Sequence, residues 1–482
     1  MSAVKYLKKV DNYTYILPED YKKGMRVPGL IFTDENLMPE DEALEQVANV
    51  ATLPGIVKYS IGMPDIHWGY GFPVGGVAAF RVDEGVVSPG GIGFDINCGV
   101  RLIKTNLHIS QLDEKTLEKL ADKLYEYVPS GVGMGGPFKA KDKDLERVSH
   151  EGAKYMIELG YGFEDDYKFI EEEGCIPNAD FSYVFKKAKD RGRDQLGTLG
   201  SGNHFLEVQV IDKIYNDKVA KEFGLFKGQV VVMIHCGSRG FGHQIADDYI
   251  SVMLSVMERK YKIFVPDKQL ACAPITSPEG SKYLKAMACA ANYAFSNRQL
   301  ITHNVRRAFE EVLKKPADEL GMFILYDVAH NIAKFEKYNV DGEEVEVLVH
   351  RKGATRAFPP GRPEIPEVYR NVGQPVIIPG DMGRYSFVLV GAEGSIEKSF
   401  GSTCHGAGRV LSRRKAKKMF SVSEVVGKLS QKGIRIRASS KATILEEVPE
   451  AYKDAEAVVR IVQGVGISRI VSRNKPVIVV KG

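Results

Sequence analysis

The sequence predicts a mixed α/β fold of the α+β type, in which layered β-sheets are flanked by helices. Apolar residues recur at three- and four-residue spacing in several long segments, which is typical of amphipathic helices. Short β-branched runs lie between these segments, as strands would. Several of the runs are apolar on both faces, which indicates central strands in a sheet covered on both sides.

The predicted elements can be placed along the chain. Apolar periodicity predicts helices over residues 112–127, 143–159, 244–262, 282–315 and 450–463. Strands are predicted at V-G-G-V-A-A-F-R-V (74–82), H-F-L-E-V-Q-V-I (204–211), Q-V-V-V-M-I-H-C (229–236), M-F-I-L-Y-D-V-A-H (322–330), Y-S-F-V-L-V-G (385–391) and P-V-I-V-V-K (476–481). Length alone, at 482 residues, suggests about three domains, although single large folds occur.

Composition favours a cytoplasmic protein with no membrane segment. No window approaches the roughly 18–20 consecutive apolar residues of a spanning helix, and the N-terminal M-S-A-V-K-Y-L-K-K-V-D lacks the apolar core of a signal peptide. In a reducing cytosol the six cysteines are not expected to pair. The chain has no evident coiled-coil or interface stripe, so we expect a monomer.

Positive charge is concentrated in one part of the chain. The net charge of +4 is too small to indicate a nucleic-acid partner, but residues 401–440 contain ten Lys or Arg and a single acid, Glu424. This basic run is either a solvated helix face or a surface that follows RNA phosphates. The sequence alone leaves both interpretations open.

Polar side chains stand at the ends of several predicted strands. His204 precedes one strand, and His235 and His330 end two others. A lone histidine in such a place is usually structural, but G-F-D-I-N-C-G-V adds Asp95 and Cys98 in a D-x-x-C turn. These five residues carry good ligands for divalent first-row metals, and a thiolate can bridge two cations. The set suffices for a two-metal site, with a small buried core cysteine as the alternative for Cys98.

A second polar cluster surrounds His405 in G-S-T-C-H-G-A-G-R. This stretch is either an ordinary loop before a helix or a phosphate-binding loop, in which a neutral imidazole could attack phosphorus. Asp65, in M-P-D-I-H-W-G-Y-G, either orients such an imidazole or belongs to a tight loop around the only tryptophan.

The motifs together resemble those of the RtcB family of GTP-dependent RNA-splicing ligases. The resemblance is carried by M-P-D-I-H-W-G-Y-G-F-P-V-G-G-V, G-G-I-G-F-D-I-N-C-G-V-R, G-T-L-G-S-G-N-H-F-L-E, I-H-C-G-S-R-G-F-G-H, D-V-A-H-N and S-T-C-H-G-A-G-R. They occur in family order from about residue 62 to the C-terminal Lys481-Gly482. The resemblance therefore implies one ligase domain over residues 1–482.

The resemblance also implies roles for individual residues. Cys98 resembles the ligand shared by two Mn²⁺ ions, with Asp95 and His204 completing one site and His235 and His330 the other. His405 resembles the nucleophile that attacks the α-phosphate of GTP. The family's nucleotide contacts match Asn203, His204, Phe205, Leu206, Glu207, His330, Asn331, Pro379, Gly380, Asp381, Met382, Ser386, His405, Gly406, Ala407, Gly408, Tyr452 and Lys481, and its RNA-phosphate contacts match Arg191, Arg239 and Arg413.

The activity implied by the resemblance joins an RNA 3′-phosphate or 2′,3′-cyclic phosphate to a 5′-hydroxyl, as in tRNA splicing and RNA repair. GTP and two Mn²⁺ ions are the implied cofactors, although the ligand set would also accept zinc or cobalt. RNA, including tRNA exon halves, is the implied partner, and archease is a candidate activating protein. The alternatives are a two-metal phosphodiesterase or nuclease without a covalent step, and an RNA-binding scaffold with a structural metal.

Overall fold

The structure is a computed structural model that describes residues 2–482, and it confirms the mixed fold class. The strands are β1 (Lys8–Lys9), β2 (Thr14–Leu17), β3 (Gly29–Phe32), β4 (Ile56–His67), β5 (Val74–Arg81), β6 (Val86–Val87), β7 (Gly99–Ile103), β8 (Phe205–Ile214), β9 (Val230–Cys236), β10 (Ala273–Pro274), β11 (Ile324–Ala329), β12 (Asn331–Val340), β13 (Glu343–Lys352), β14 (Ala354–Arg356), β15 (Pro375–Ile378), β16 (Ser386–Gly391), β17 (Ser402–Cys404), β18 (Arg435–Ala438) and β19 (Ser468–Lys481). The helices are α1 (Asp41–Val50), α2 (Glu114–Tyr127), α3 (Asp142–Glu151), α4 (Ala153–Glu158), α5 (Lys186–Gly192), α6 (Asp217–Phe223), α7 (Arg239–Val256), α8 (Pro278–Leu313), α9 (Gly394–Ser399), α10 (Arg413–Met419), α11 (Val422–Gln431), α12 (Lys441–Glu446) and α13 (Ala455–Val465).

Two large sheets organise these elements. One contains the strands in the order β1-β2-β3-β4-β5-β13-β12, and the other contains β11-β7-β9-β8-β19-β16-β15, with β18 added beside β19. The pairs β3–β4 and β18–β19 are parallel. Helix α8 is buried along most of its length and packs against α2, α3, α4 and α7. In residues 2–482, no helix combines the length and apolar character that a membrane crossing requires.

Some predicted helix boundaries were wrong. The helix predicted over 143–159 divides into α3 and α4 at Gly152, whose φ of +58° is left-handed and whose Cβ, if present, would lie 2.1 Å from the Gly174 carbonyl oxygen. The helix predicted over 244–262 runs from Arg239 to Val256 instead. The helix predicted from residue 450 begins at Ala455, because the Asp454 side chain caps it by accepting from the Glu456 N–H.

Neighbouring strands bring the predicted metal ligands to one sheet edge. Strand β7 lies between β9 and β11, and β8 lies on the far side of β9. In this register Gly99 is opposite Cys236 and Ala329, while Phe205 is opposite His235. Residues 98, 204, 235 and 330 therefore meet at the same ends of four adjacent strands.

A fully buried network of ion pairs lies directly behind this sheet edge. Arg101, Arg298 and Asp327 are fully buried, and the Asp327 carboxylate accepts from both guanidinium groups at 2.7–2.9 Å. Arg298 also donates to the carbonyl oxygens of Asn97 and Cys236, both at 2.8 Å. Because those carbonyls adjoin Cys98 and His235, the network connects the long helix α8 to the backbone that carries two of the predicted ligands.

Asp327→Asn is expected to lower the free energy of unfolding by about 3–5 kcal/mol, because it leaves two buried guanidinium groups without a counter-charge. Denaturant unfolding followed by circular dichroism measures the change. The control is Asp165→Asn, which removes an exposed partner of Lys168 and should cost no more than about 1 kcal/mol. Equal losses in the free energy of unfolding would show that the buried ion pairs stabilise the protein no more than the exposed one.

Candidate active site

The five predicted metal ligands form two groups that share Cys98. The ligand atoms of Asp95, Cys98 and His204 lie within 4.8 Å of one another, as do those of Cys98, His235 and His330. The Cys98 Sγ is 3.5 Å from His204 Nε2 and 3.3 Å from His235 Nε2. His235 Nε2 is 3.3 Å from His330 Nε2, and His204 Nε2 is 2.8 Å from Asp95 Oδ2.

The electrostatics of this cluster suit cation binding. Burial and neighbouring imidazoles hold the pKa of His235 and His330 well below the usual value, so both rings are neutral and carry a free lone pair. Burial and the Asp95 charge raise the pKa of the Cys98 thiol to about 12. A bound cation would therefore have to displace the thiol proton, as metals do at cysteine sites.

The donor set fits two divalent cations. His204 Nδ1 lies 3.1 Å from the Leu199 carbonyl oxygen, and Nε2 lies beside Asp95. Burial opposes protonation of His204, but the neighbouring Cys236, Cys98 and Asp95 raise its pKa well above the usual value, so a bound cation would have to displace a proton from Nε2. Backbone geometry helps as well, since Asn97, between Asp95 and Cys98, adopts a left-handed φ of +53°. This turn places the carboxylate and the thiol of D-x-x-C on a common centre.

His405 follows β17 and is held by Asp65 from β4. The His405 Nδ1 is 2.6 Å from Asp65 Oδ2, and the same oxygen accepts from the backbone N–H groups of His405 and Gly406. Burial opposes ionisation of Asp65, but His405 holds the pKa of this carboxyl below its usual value. An ionised Asp65 can only accept, so Nδ1 carries the proton and Nε2 keeps the lone pair that a nucleophile needs.

His405 and four of the five predicted metal ligands, all except His204, line one cavity of about 300 Å³. The rings of His405 and His330 are 5.0 Å apart. Predicted site residues that line this cavity are Asp95, Cys98, Asn203, Phe205, His235, His330, Asn331, Pro379, Gly380, Asp381, Met382, His405, Gly406, Ala407, Gly408, Arg413, Tyr452 and Lys481. Segments that are distant in sequence thus meet around a single space.

Some predicted nucleotide contacts lie behind the cavity wall. Glu207 and Ser386 are buried and joined through Gln209, whose Nε2 donates to Glu207 Oε2 at 2.7 Å and to Ser386 Oγ at 3.1 Å. Ser386 Oγ in turn accepts from the Gly380 N–H, which faces the cavity loop. The Leu206 side chain packs in the hydrophobic core, on the opposite face of β8 from its neighbours, so the structure does not bring it to the cavity.

Two charged residues of the cavity were missed by sequence reasoning. Glu447 is buried, and its carboxylate pairs with Arg409, Lys481 and the Tyr452 hydroxyl. Lys352 donates from Nζ to two backbone carbonyls, and burial lowers its pKa to about 7. Nothing in the flanking residues distinguishes either side chain from the other acids and lysines of the chain.

The predicted RNA-contacting arginines are distributed around the cavity. Arg413 lines it, whereas Arg239 lies beside His204, with its Nη1 3.2 Å from His204 Nδ1. Arg191 is exposed near the start of α7, with its Nη1 3.1 Å from the Gln244 side-chain oxygen. Much of the basic run of residues 401–440 is committed to ion pairs, formed by Arg409, Arg413, Lys417, Lys428, Arg435 and Arg437 with acids elsewhere.

Known proteins are similar to this sequence over nearly its whole length. The family model described as tRNA-splicing ligase RtcB matches residues 46–482. A tRNA-splicing ligase RtcB from Archaeoglobus fulgidus is 54% identical over 478 residues, covering 99% of each chain. Relatives with the same name from Methanococcus maripaludis and Thermococcus kodakarensis are 55% and 53% identical over 476 and 479 residues, covering 98–99% of this chain and 99% of theirs.

These matches agree with the motifs and with their convergence on one cavity. The chain belongs to the RtcB family of RNA ligases.

Proposed function

We propose that this protein is a GTP- and Mn²⁺-dependent RNA ligase that joins 3′-phosphate or 2′,3′-cyclic phosphate ends to 5′-hydroxyl ends. The observation that carries the proposal is the His405–Asp65 pair beside the two ligand groups that share Cys98. A hydrolase needs the metals alone, whereas a correctly oriented imidazole facing them supplies a covalent nucleophile.

The first step transfers GMP to the protein. His405 Nε2 attacks the α-phosphorus of GTP, a P–N bond forms, and pyrophosphate leaves with the electron pair of the broken P–O bond. Asp65 keeps the proton on Nδ1 and stabilises the positive charge that develops on the ring. Divalent cations held by the two ligand groups would neutralise phosphate charge and the leaving oxygens.

Two further steps join the RNA ends. An oxygen of the RNA 3′-phosphate attacks the phosphorus of the His405 adduct and regenerates the free imidazole. The 5′-hydroxyl of the second RNA then attacks the activated 3′-phosphate, and GMP leaves. A 2′,3′-cyclic phosphate is first opened by hydrolysis. The relatives are named for tRNA splicing, so we propose tRNA exon halves and broken RNA as substrates of one domain spanning residues 1–482, with archease as a candidate activator.

Glu207 is proposed to select guanine. In its ionised form, this carboxyl can accept from the guanine N1–H and N2–H₂ groups, which adenine does not offer in that arrangement. Because burial raises the pKa of Glu207 to about 8, GTP binding would have to draw the proton off this group. A buried acceptor left without a donor is costly, so ATP would be rejected. Lys481 can donate to the guanine O6, and Tyr452 can stack on the base.

The proposal is tested by incubating the protein with one 3′-phosphate RNA and one 5′-hydroxyl RNA. With GTP and Mn²⁺ we expect a joined product, and with ATP in place of GTP none. Shortened RNA without joining would contradict the proposal and favour the two-metal phosphodiesterase.

Glu207→Gln is expected to stabilise the GTP-free protein, and more so at pH 8 than at pH 5. Burial raises the pKa of Glu207 to about 8. As pH rises from about 4.5 towards 8, the unfolded chain loses this proton while the folded protein keeps it, so stability falls by up to about 1.4 kcal/mol per pH unit. The amide cannot ionise, which removes this loss. Thermal melts of the wild type and of Glu207→Gln at pH 5 and pH 8 measure this difference in stability.

The same variant is expected to bind GTP more weakly, because an amide cannot accept from both guanine groups. Glu222→Gln, an exposed residue of α6, is the matched control and should change neither property. A variant that melts like the wild type at both pH values would contradict the raised pKa.

A further inference from the structure

Three aromatic rings form a continuous ladder at the cavity that neither the metals nor the nucleotide explains. Phe94 lines the cavity immediately before Asp95. Its ring stacks on His243 of α7, with centroids 4.9 Å apart and an interplanar angle of 25°. Tyr70 also meets Phe94 edge-on, with centroids 5.1 Å apart.

The ladder is open to solvent at its outer end. His243 is exposed and Phe94 is only half-buried, so ring surface lies beside the cavity without a protein cover. Burial and the nearby Arg191 charge lower the pKa of His243, which makes the ring neutral at physiological pH. A neutral imidazole on a phenyl ring presents the flat surface on which nucleobases stack.

The inner end of the ladder is rigidly held. Lys352 Nζ donates to the carbonyl oxygen of Tyr70 and to that of Phe72. The Gly71 N–H donates to the Gln269 side chain at 2.9 Å. A Cβ at Gly71 would lie 2.4 Å from the Gln269 carbonyl oxygen, so the loop fits closely against its neighbour. These contacts hold the Tyr70 loop in place, and a surface that is already held in place loses less entropy when it binds.

Positive charge lies beside the ladder. Arg191 is exposed, and its side chain reaches α7 next to His243, where it contacts Gln244. A stacking surface with an adjacent guanidinium is the combination that single-stranded nucleic acids require, since the ring holds a base and the cation holds its phosphate.

We propose that Tyr70, Phe94 and His243 form a base-stacking site for the RNA nucleotide at the ligation junction, with Arg191 on its phosphate. This inference rests on the proposed ligase function and adds how the RNA is held. The site takes any of the four bases, because each offers a π-face.

The test uses His243→Ala, which removes the outer ring from an exposed helix position where alanine is well tolerated. We expect the KM for RNA to rise about tenfold, while covalent labelling by GTP without RNA stays unchanged. His243→Phe should restore the wild-type KM because it restores the ring. His303→Ala, which removes a histidine that meets Tyr161 edge-on elsewhere, is the matched control and should leave both quantities unchanged.

Two arms identify which RNA end is held. One measures activation of a 3′-phosphate RNA, and the other measures sealing of a preactivated RNA to a 5′-hydroxyl RNA. In each arm the terminal nucleotide is either uridine or abasic. The abasic RNA should bind the wild type as weakly as uridine RNA binds His243→Ala, and the variant should not distinguish the two.

An unchanged KM for His243→Ala in both arms would overturn the stacking site, as would a rise that His243→Phe fails to reverse. Loss of GTP labelling in His243→Ala would also overturn it, since the ring would then support the centre rather than RNA. Absence of labelling in the wild type would instead contradict the proposed function itself.

Discussion

Replacing His405 by alanine is expected to abolish covalent labelling by α-³²P-GTP and, with it, RNA joining. In the proposed mechanism the cavity would still bind metals and nucleotide but would lack the nitrogen that attacks the α-phosphorus. Denaturing electrophoresis after incubation with GTP and Mn²⁺ reveals the label, which should be labile in acid and stable in alkali, as a phosphoramidate is. His150→Ala, on the exposed surface of α3, should label like the wild type.

Asp65→Asn tests how much the orientation of His405 matters, because it leaves the nucleophile itself in place. The amide keeps the size of the side chain but can donate to Nδ1, which favours the ring tautomer that has its proton on Nε2. We expect labelling to slow by about 10³–10⁴-fold, as for other catalytic histidines that lose their orienting carboxylate.

Label on His405→Ala would contradict the assigned nucleophile. A lack of label on the wild type, with metal bound, would favour the two-metal phosphodiesterase.

Cys98→Ala is expected to remove both metal ions, because Cys98 is the one residue common to the two ligand groups. Asp95→Ala and His330→Ala each disrupt a single group and should leave about one cation per chain, against about two in the wild type. Metal analysis after gel filtration in Mn²⁺ measures the stoichiometry directly, without reference to activity.

Cys289→Ala is the control, since this buried cysteine packs in the core away from the centre and should leave the metal content unchanged. Circular dichroism verifies that each variant is folded. Two cations retained by Cys98→Ala would show that the thiolate does not bridge, and would return Cys98 to the role of a small core residue.

The sequence predicted the strands of the site better than its helices. Apolar runs around His235 and His330 identify β9 and β11, because a covered strand must be apolar on both faces. The break at Gly152 escaped prediction because periodicity continues across it, and its cause is a contact with Gly174, distant in sequence.

The residues of the site also fall into two groups, those that local motifs predict and those that only the tertiary fold brings together. Asp95, Cys98 and His405 stand in unusual motifs, so sequence alone pointed to them. Glu447 gains its importance from three partners contributed by other segments, and the ladder of Phe94 on His243 joins residues that no local pattern relates. Such assignments depend on the tertiary fold, which single-sequence patterns do not specify.

The buried contacts of Arg298 also bear on how heat inactivates this protein. Its guanidinium joins the carbonyls beside Cys98 and His235 to Asp327 and to the long helix α8, which itself spans the core. The catalytic centre therefore cannot melt on its own while the remainder stays folded, unlike a centre built on mobile loops. In a thermal ramp, inactivation and global unfolding should coincide, and the protein should remain active up to the temperature at which it denatures.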